Sequence, residues 1–519
     1  MEANILTVIA ILVAGYTLLS EEKRTDLLLR MGWIDKLLLL TACTIVAYVT
    51  FIPVLSYFKL TISLPWLWGF NSNLTTFSVI LLVLIYLIFK LLGKRLPHSR
   101  IQPWNNTSLQ LLRQRKYKEL SYLVDKYYLQ FCSIHKDKWY DRLRSKLPSV
   151  YRDELDALIK GEQRKFSATT RWGIRVIDRL LPTQQKLKDR SKVGLQHLLH
   201  SKSFVQYYAH HNPQACMELT LLPWAVSDKF SDLFLHSLML DTESTFYREV
   251  HDTQQISIAS GYYIDPANPL LFFYLNDLNI ASAQQIWKPI GDSVATYISK
   301  QIEGAENHYN QPYHWSYEDE ERWVCPIYTT LHFFDVMVQR AIYSNFPDHM
   351  WLRYYHTFLK HILTKYQPSP RVSRISSMPT RYDYLVDEIF DNCISWLEAA
   401  IDKKVVLTDK GNQLWPIPIR FSAKTLGELL LLLLKADNFF DSRCTQQLSK
   451  VIRLSNKLED AGLAQLNTEI ATECLPTWGL ENIDNYQTRL RKCFVEVALE
   501  ETRLDSTLCK NIKGFVGIA

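Results

Sequence analysis

Three groups of side chains in this 519-residue chain are of types that acid–base or metal chemistry uses. Asp383, Asp387 and Asp391 recur every four residues, with Glu388 beside the second. On a helix they share one face within about 12 Å, at about 1.5 Å rise per residue. Carboxylates held that close repel, so they need water, a cation or basic partners. Used chemically, with a histidine such as His356, this face would serve a helical metal-dependent enzyme. Used structurally, it would meet the cationic stripe His349, Arg353, His356 and Lys360 of the preceding helix in a polar seam. His197 and His200, at i and i+3, could share a helix face as two metal ligands. Their third ligand would have to come from His210, His211, Glu218 or elsewhere in the chain. A solvated histidine pair needs no such partner, and neither metal nor cofactor is expected. The third group is the loop Asn307–Trp323, where His314, Trp315, Glu318, Asp319, Glu320 and Glu321 join stacking rings to four consecutive acids. Such a loop suits recognition of a basic partner more than catalysis. The chain lacks GxxxxGK(S/T), GxGxxG, GxSxG and HExxH, which weighs against a P-loop nucleotidase, a Rossmann dehydrogenase, an α/β-hydrolase and a zincin.

The elements that hold these groups begin with three apolar segments, about Ala3–Leu19, Leu37–Tyr57 and Phe77–Leu92. Each approaches the roughly 20 residues that cross a hydrocarbon core, and none has a charge near its middle. Glu2 before the first run, and Leu18-Leu19-Ser20-Glu21-Glu22 after it, argue against a cleaved signal peptide. Lys23, Arg24, Arg30 and Lys36 lie in the first connection, Lys59 alone in the second, and Lys94, Arg95 and Arg100 after the third. That distribution predicts the N-terminus outside and everything after Lys94 in the cytoplasm. Short loops and this bias fit a bacterial inner membrane.

Residues 1–100 carry 9 Lys and Arg against 5 Asp and Glu, residues 101–200 carry 21 against 10, and residues 201–519 carry 29 against 38. The basic part therefore adjoins the membrane. There Arg113, Arg115, Lys116, Lys118, Lys186, Lys188 and Arg190 would face an anionic lipid surface. Nucleic acid is the weaker alternative, because no binding motif accompanies the charge. Sixteen glycines, about 3% against a usual ~7%, disfavour phosphate loops and wound sheets. Nine scattered cysteines without a CxxC pair read as reduced thiols.

The expected fold is mostly α: three transmembrane helices, then a large all-α cytoplasmic region with one short β-hairpin. Its parts are an anchor at 1–96, a basic juxtamembrane region at 97–200, a central domain at 201–403, a hairpin at 404–421 and a C-terminal domain at 422–519. Residues 97–106 read as a linker, with a helix from Thr107. Further helices are expected at 149–165, 169–181, 327–345, 348–366, 382–403 and 423–436. Val405–Thr408 and Gln413–Ile419 flank a turn as a hairpin does. These features favour a non-enzymatic, membrane-anchored protein that recruits or senses a partner at the inner leaflet, a second protein or another copy of itself. A membrane-perturbing effector of bacterial stress or phage defence is the alternative, and an enzyme on the Asp383/Asp387/Asp391 face the second alternative.

Overall fold

The computed structural model describes residues 16–59, 72–136, 185–222, 228–257, 261–313, 320–372, 378–403, 417–475 and 483–518. It is mostly helical and falls into two units. The first comprises residues up to Tyr208 together with Leu221–Ser227; the second comprises Ala209–Thr220 and Asp228–Ala519.

The first unit holds α1 (Glu21–Arg30), α2 (Trp33–Thr50), α3 (Ile52–Tyr57), α4 (Ser72–Leu92), α5 (Ile101–Arg113), α6 (Tyr117–His135), α7 (Gln185–Leu199) and most of α8 (Lys202–His211). Among the described residues two helices, α2 and α4, are long and apolar enough to cross a membrane, not three; most of the segment 3–19 lies outside those residues. In the apolar windows of α2 and α4 only 17% and 6% of residues are buried inside the protein. Leu40 and Phe89, for example, are 64% and 72% exposed. A core helix of a soluble domain would be covered. Within α2 the hydroxyls of Thr41, Thr44 and Thr50 donate to the carbonyls of Leu37, Leu40 and Val46 at 2.9, 2.9 and 2.7 Å. Each hydroxyl is thus satisfied inside its own helix, as an apolar surrounding requires. Pro53 follows the end of α2, and Phe51 separates α2 from α3.

Downstream, the linker expected at 97–106 is the start of α5. Ile101 and Trp104 are fully buried, and Pro103 is tolerated in the first turn, where no N–H partner is missing. The single helix expected from Thr107 is two. Arg115 adopts a positive φ of 57° and breaks the chain between α5 and α6 without glycine or proline. The helices expected at 149–165 and 169–181 lie outside the described residues.

The second unit contains α9 (Pro213–Thr220), α10 (Asp228–Leu240), α11 (Thr245–Asp252), α12 (Pro269–Leu275), α13 (Leu278–Gln284), α14 (Trp287–Ser299), α15 (Pro326–Ser344), α16 (Arg353–Lys365), α17 (Arg381–Asp402), α18 (Ile417–Lys435), α19 (Asp441–Asp460), α20 (Ala464–Cys474), α21 (Ile483–Glu500) and α22 (Thr507–Val516). Its core is built from α15, α17 and α18, with α18 packed on both α17 and α20. The expected six-leucine helix is α18. It starts at Ile417, so Ile417–Ile419 form its first turn rather than the end of a strand, and residues 404–416 lie outside the described residues. An antiparallel pair occurs elsewhere, Ile256–Ser257 with Gly261–Tyr262 in the register Ile256↔Tyr262.

At Gly427 the backbone of α18 comes close to that of α20. A Cβ there would lie 2.5 Å from the Ile470 carbonyl oxygen, a backbone atom that no rotamer change can move away. Gly427→Ala is expected to cost about 1–3 kcal/mol by overpacking. Gly514→Ala in α22, where nothing lies within 4 Å, should instead gain about 0.5–1 kcal/mol. Unfolding midpoints of the two variants should therefore move in opposite directions.

Candidate functional site

The densest set of buried charges in the first unit lies where α1, α4 and α6 meet. Asp26 and Arg30, one turn apart on α1, are fully buried and 3% exposed. The Arg30 Nε donates to Asp26 Oδ1 at 3.3 Å and to the Tyr127 hydroxyl of α6 at 2.7 Å. That hydroxyl donates to Asp26 Oδ1, and Lys126 Nζ donates to Oδ2 at 2.7 Å. Both carboxylate oxygens are occupied. Burial and the Asp26 carboxylate push the Tyr127 phenol well above its ordinary range, so it stays a donor. Arg30 also donates to the Lys90 carbonyl at 2.9 Å, in the last turn of α4. Arg100 donates to the carbonyls of Leu29, at 2.8 Å, and Met31, at the end of α1. Two helix C-termini thus converge, and two guanidinium groups satisfy carbonyls that helix ends leave unpaired.

One turn further on, Asp35 accepts from Lys90 Nζ at 3.0 Å, from the Tyr86 hydroxyl and from the Gly32 N–H at 2.7 Å. The start of α2 and the end of α4 are therefore side by side, and the pair is an antiparallel helical hairpin. The node contains no activated nucleophile. It locks the ends of the two apolar helices to the α5–α6 layer. The sequence carried a signal for it in Asp26 and Arg30 at i and i+4 between two apolar segments, but their burial partners come from α4 and α6.

In the second unit the acidic stripe of α17 is a polar seam, though not with α16. Its partners lie on α19, which runs parallel to α17. Asp383 is fully buried. It accepts from the Thr380 hydroxyl and N–H at 2.7 and 3.1 Å and from the Tyr366 hydroxyl at 3.0 Å, with Arg443 Nε 3.7 Å away. Thr380 and Asp383 form a capping box at the start of α17, and burial pushes the Asp383 carboxyl up. Asp387 accepts from Gln447 Nε2 at 2.6 Å and Lys450 Nζ at 2.9 Å, and Asp391 from Lys450 at 2.6 Å. Lys457 continues the register onto Glu398 at 2.5 Å. His356 sits on α16, its imidazole pushed down by burial and Lys360, while the stripe takes its cations from α19. Metal or proton chemistry here would first have to displace these ion pairs.

The remaining sequence-selected residues are dispersed. His197 on α7 and His200 just after it are exposed. Among the described residues no three His, Cys, Asp or Glu side chains are grouped to hold a metal. Of the acidic loop, residues 314–319, including His314, Trp315, Glu318 and Asp319, lie outside the described residues. Glu320 lies 3.7 Å from His251, and Glu321 pairs with Arg381, while both keep most of their surface exposed. Trp323, 7% exposed, anchors the loop against His251, Tyr328 and His332. Among the basic residues, Arg113, Arg115 and Arg190 are exposed. Lys116 pairs with Glu21 and Glu119 at 3.3 and 3.4 Å, and Lys118 with Glu22 at 2.9 Å. Lys118 holds the Glu22 carboxyl down at about 2. Lys188 is half-buried, and Lys186 lies on α7 with its side chain outside the description. Part of the basic surface therefore holds α1 onto α6.

Beside the seam stand two further carboxyls, Asp335 of α15, which the sequence did not single out, and Glu388 of α17. Asp335, 4% exposed, accepts from the Tyr262 hydroxyl at 2.7 Å and Trp396 Nε1 at 2.6 Å, and burial pushes it up to about 6. Burial also pushes Glu388 from 4.5 up to about 7, with Asp391, Asp387 and Asp335 adding in the same direction. An acid whose folded pKa exceeds its unfolded one binds its proton more tightly in the native state. Its penalty therefore grows as pH rises from about 4.5 to about 7. Glu388→Gln should raise the unfolding midpoint relative to the parent protein more at about pH 8 than at about pH 5. An equal difference at both would contradict this assignment. Comparison of the chain with protein-family models, curated proteins and solved structures gives no match.

Proposed function

We propose that this chain is a membrane-anchored interaction or sensor protein without catalytic activity of its own, whose helical body recruits or senses a partner at the cytoplasmic leaflet of a bacterial inner membrane. The observation that carries the reading is the α2–α4 hairpin. Its apolar surface is left uncovered by the described residues, while its shared end is clamped to the α5–α6 layer by the Asp26–Arg30–Tyr127 node. Exposed apolar surface on that scale needs an apolar surrounding. The Lys and Arg of the first connection and of residues 94–100 put the clamped end inside. With segment 3–19 as a further spanning helix, the N-terminus is outside. Arg113, Arg115 and Arg190 are exposed cations in reach of an anionic leaflet, and the 307–323 loop is the partner-facing segment.

The same node favours a second reading. A clamp from the α5–α6 layer to the hairpin is what a membrane-perturbing effector of a bacterial stress or phage-defence system would use to pass a signal to its spans. The test is purification of the tagged protein from native membranes in mild detergent, with mass spectrometry of what co-purifies. A stoichiometric protein that is lost on charge reversal of Glu318–Glu321 supports the recruiting role. A preparation of this chain alone that depolarises cells on expression supports the effector.

A further inference from the structure

Along the α2–α4 hairpin runs a groove of about 350 Å³ lined by Ala42, Cys43, Ala47 and Thr50 of α2 and Val79 and Val83 of α4. We propose that this groove is the seat of the chain's own first apolar segment, residues 3–19, packed there as a third helix within the membrane. The inference rests on the reading that α2 and α4 span.

The lining offers nothing to a polar ligand. The Thr50 hydroxyl is spent on the Val46 carbonyl at 2.7 Å, and the remaining lining atoms are apolar side chains and one thiol. It offers much to a helix. Ala42, Cys43 and Ala47 keep α2 low along the floor between the larger lining side chains Leu39, Val46 and Phe51, whereas Leu40, Phe77 and Phe89 project outside the groove and are exposed. Small residues on a membrane helix mark where a neighbouring backbone approaches, because close packing rather than hydrophobicity drives association in lipid. The segment has a matching face, Ala10 and Ala14 at i and i+4.

Its place in the chain also fits. The described chain begins at Tyr16 and continues directly into α1, with Arg24 donating to the Thr17 carbonyl and lying 5.3 Å from the Tyr16 ring. The far end of α1 is held to the last turn of α4. The segment therefore meets the membrane on the side where α2 begins and α4 ends, which makes it antiparallel to α2 and parallel to α4. Seventeen residues rise about 26 Å, against about 27 Å for α2. On that alignment Ala10, about ten residues from the shared end, is level with Cys43, about ten residues into α2.

The native Cys43 supplies the probe. Ala10→Cys is compared with Val8→Cys and Leu12→Cys, which lie at similar depth on the opposite helix face. Each full-length variant is oxidised in its membranes and digested with trypsin, and the disulfide is sought between the peptide ending at Lys23 and the peptide Leu37–Lys59. A link from position 10 within one chain, at least several-fold stronger than from 8 or 12, is expected. As a second readout, Ala10→Trp should quicken alkylation of Cys43 by a membrane-permeant maleimide several-fold. Cys43–Cys43 links between differently tagged copies would overturn the proposal in favour of a second copy. No link at any position, with Cys43 rapidly alkylated in the parent, would overturn it in favour of lipid. Alkaline carbonate washing of the same membranes separates the two levels. A protein released by the wash fails the spanning reading, and the groove proposal with it, whereas a retained protein without the link fails the groove proposal alone.

Discussion

Asp26→Ala should destabilise the first unit by about 3–5 kcal/mol, the cost of leaving a buried cation without its counter-ion. Arg30 is only 3% exposed, so water cannot replace the lost carboxylate fully. Without the carboxylate it keeps only the Tyr127 hydroxyl and the Lys90 carbonyl, and Lys126 loses its counter-ion, keeping the Tyr122 hydroxyl. The effect belongs to the junction, so it is best read by hydrogen exchange of α1 and α6 amides in the detergent-solubilised protein. Protection should fall about a hundredfold or more, given about 1.4 kcal/mol per decade. The double change Asp26→Leu with Arg30→Met should restore a large part of the loss, because a buried pair replaced by apolar groups of similar volume is often neutral. A single Asp26→Ala that behaves as a surface change, within about 0.5 kcal/mol, would remove the node from the list of structural determinants.

The second large effect is graded along α17. Asp383→Ala is expected to cost about 3–5 kcal/mol, since it removes the capping box and leaves Arg443, which is 4% exposed, with Asp387 at 3.8 Å as its remaining carboxylate. Asp387→Ala should cost less, because Lys450 is partly exposed and retains Asp391. Asp391→Ala, on a half-exposed side chain, should fall within about 0–1 kcal/mol. An acid–base or metal-binding role would impose a different order, with the largest functional loss at Asp387 or Asp391 and folding unchanged. Unfolding midpoints for the three variants decide the matter. Equal costs at 383 and 391 would contradict the seam.

Much of the architecture was legible because it follows from periodicity. The helices expected at 327–345 and 382–403 occur at Pro326–Ser344 and Arg381–Asp402, and the apolar run 77–92 lies within α4. What failed to show were choices made by tertiary packing. Arg115 takes a left-handed conformation that nothing in its neighbours announces. Gln413–Ile419 reads as the second arm of a hairpin, yet its Pro418 sits in the first turn of α18, where proline is equally at home. The antiparallel pair at 256–262 hinges on Gly261, whose φ of 72° favours glycine. The candidate sites divide in the same way. The acidic stripe was evident from spacing, but two cationic stripes were available to it. Arg353 and Lys360 on α16 are exposed, while Arg443 and Lys450 on α19 take the carboxylates. The Asp26–Arg30 spacing was visible but not the pair's burial, because a charged helix between apolar segments ordinarily faces water. Here a tyrosine and a lysine roughly 100 positions downstream bury it.

The most direct measurement is membrane partition and sidedness of the full-length protein in bacterial cells. Inner-membrane vesicles of both orientations are washed with alkaline carbonate and then exposed to protease. The expected result is a protein that resists the wash, with residues after Lys94 digested in inverted vesicles and protected in right-side-out spheroplasts. Release by carbonate, or digestion of the body from the outer face, would contradict an anchor whose clamped end and helical body lie in the cytoplasm.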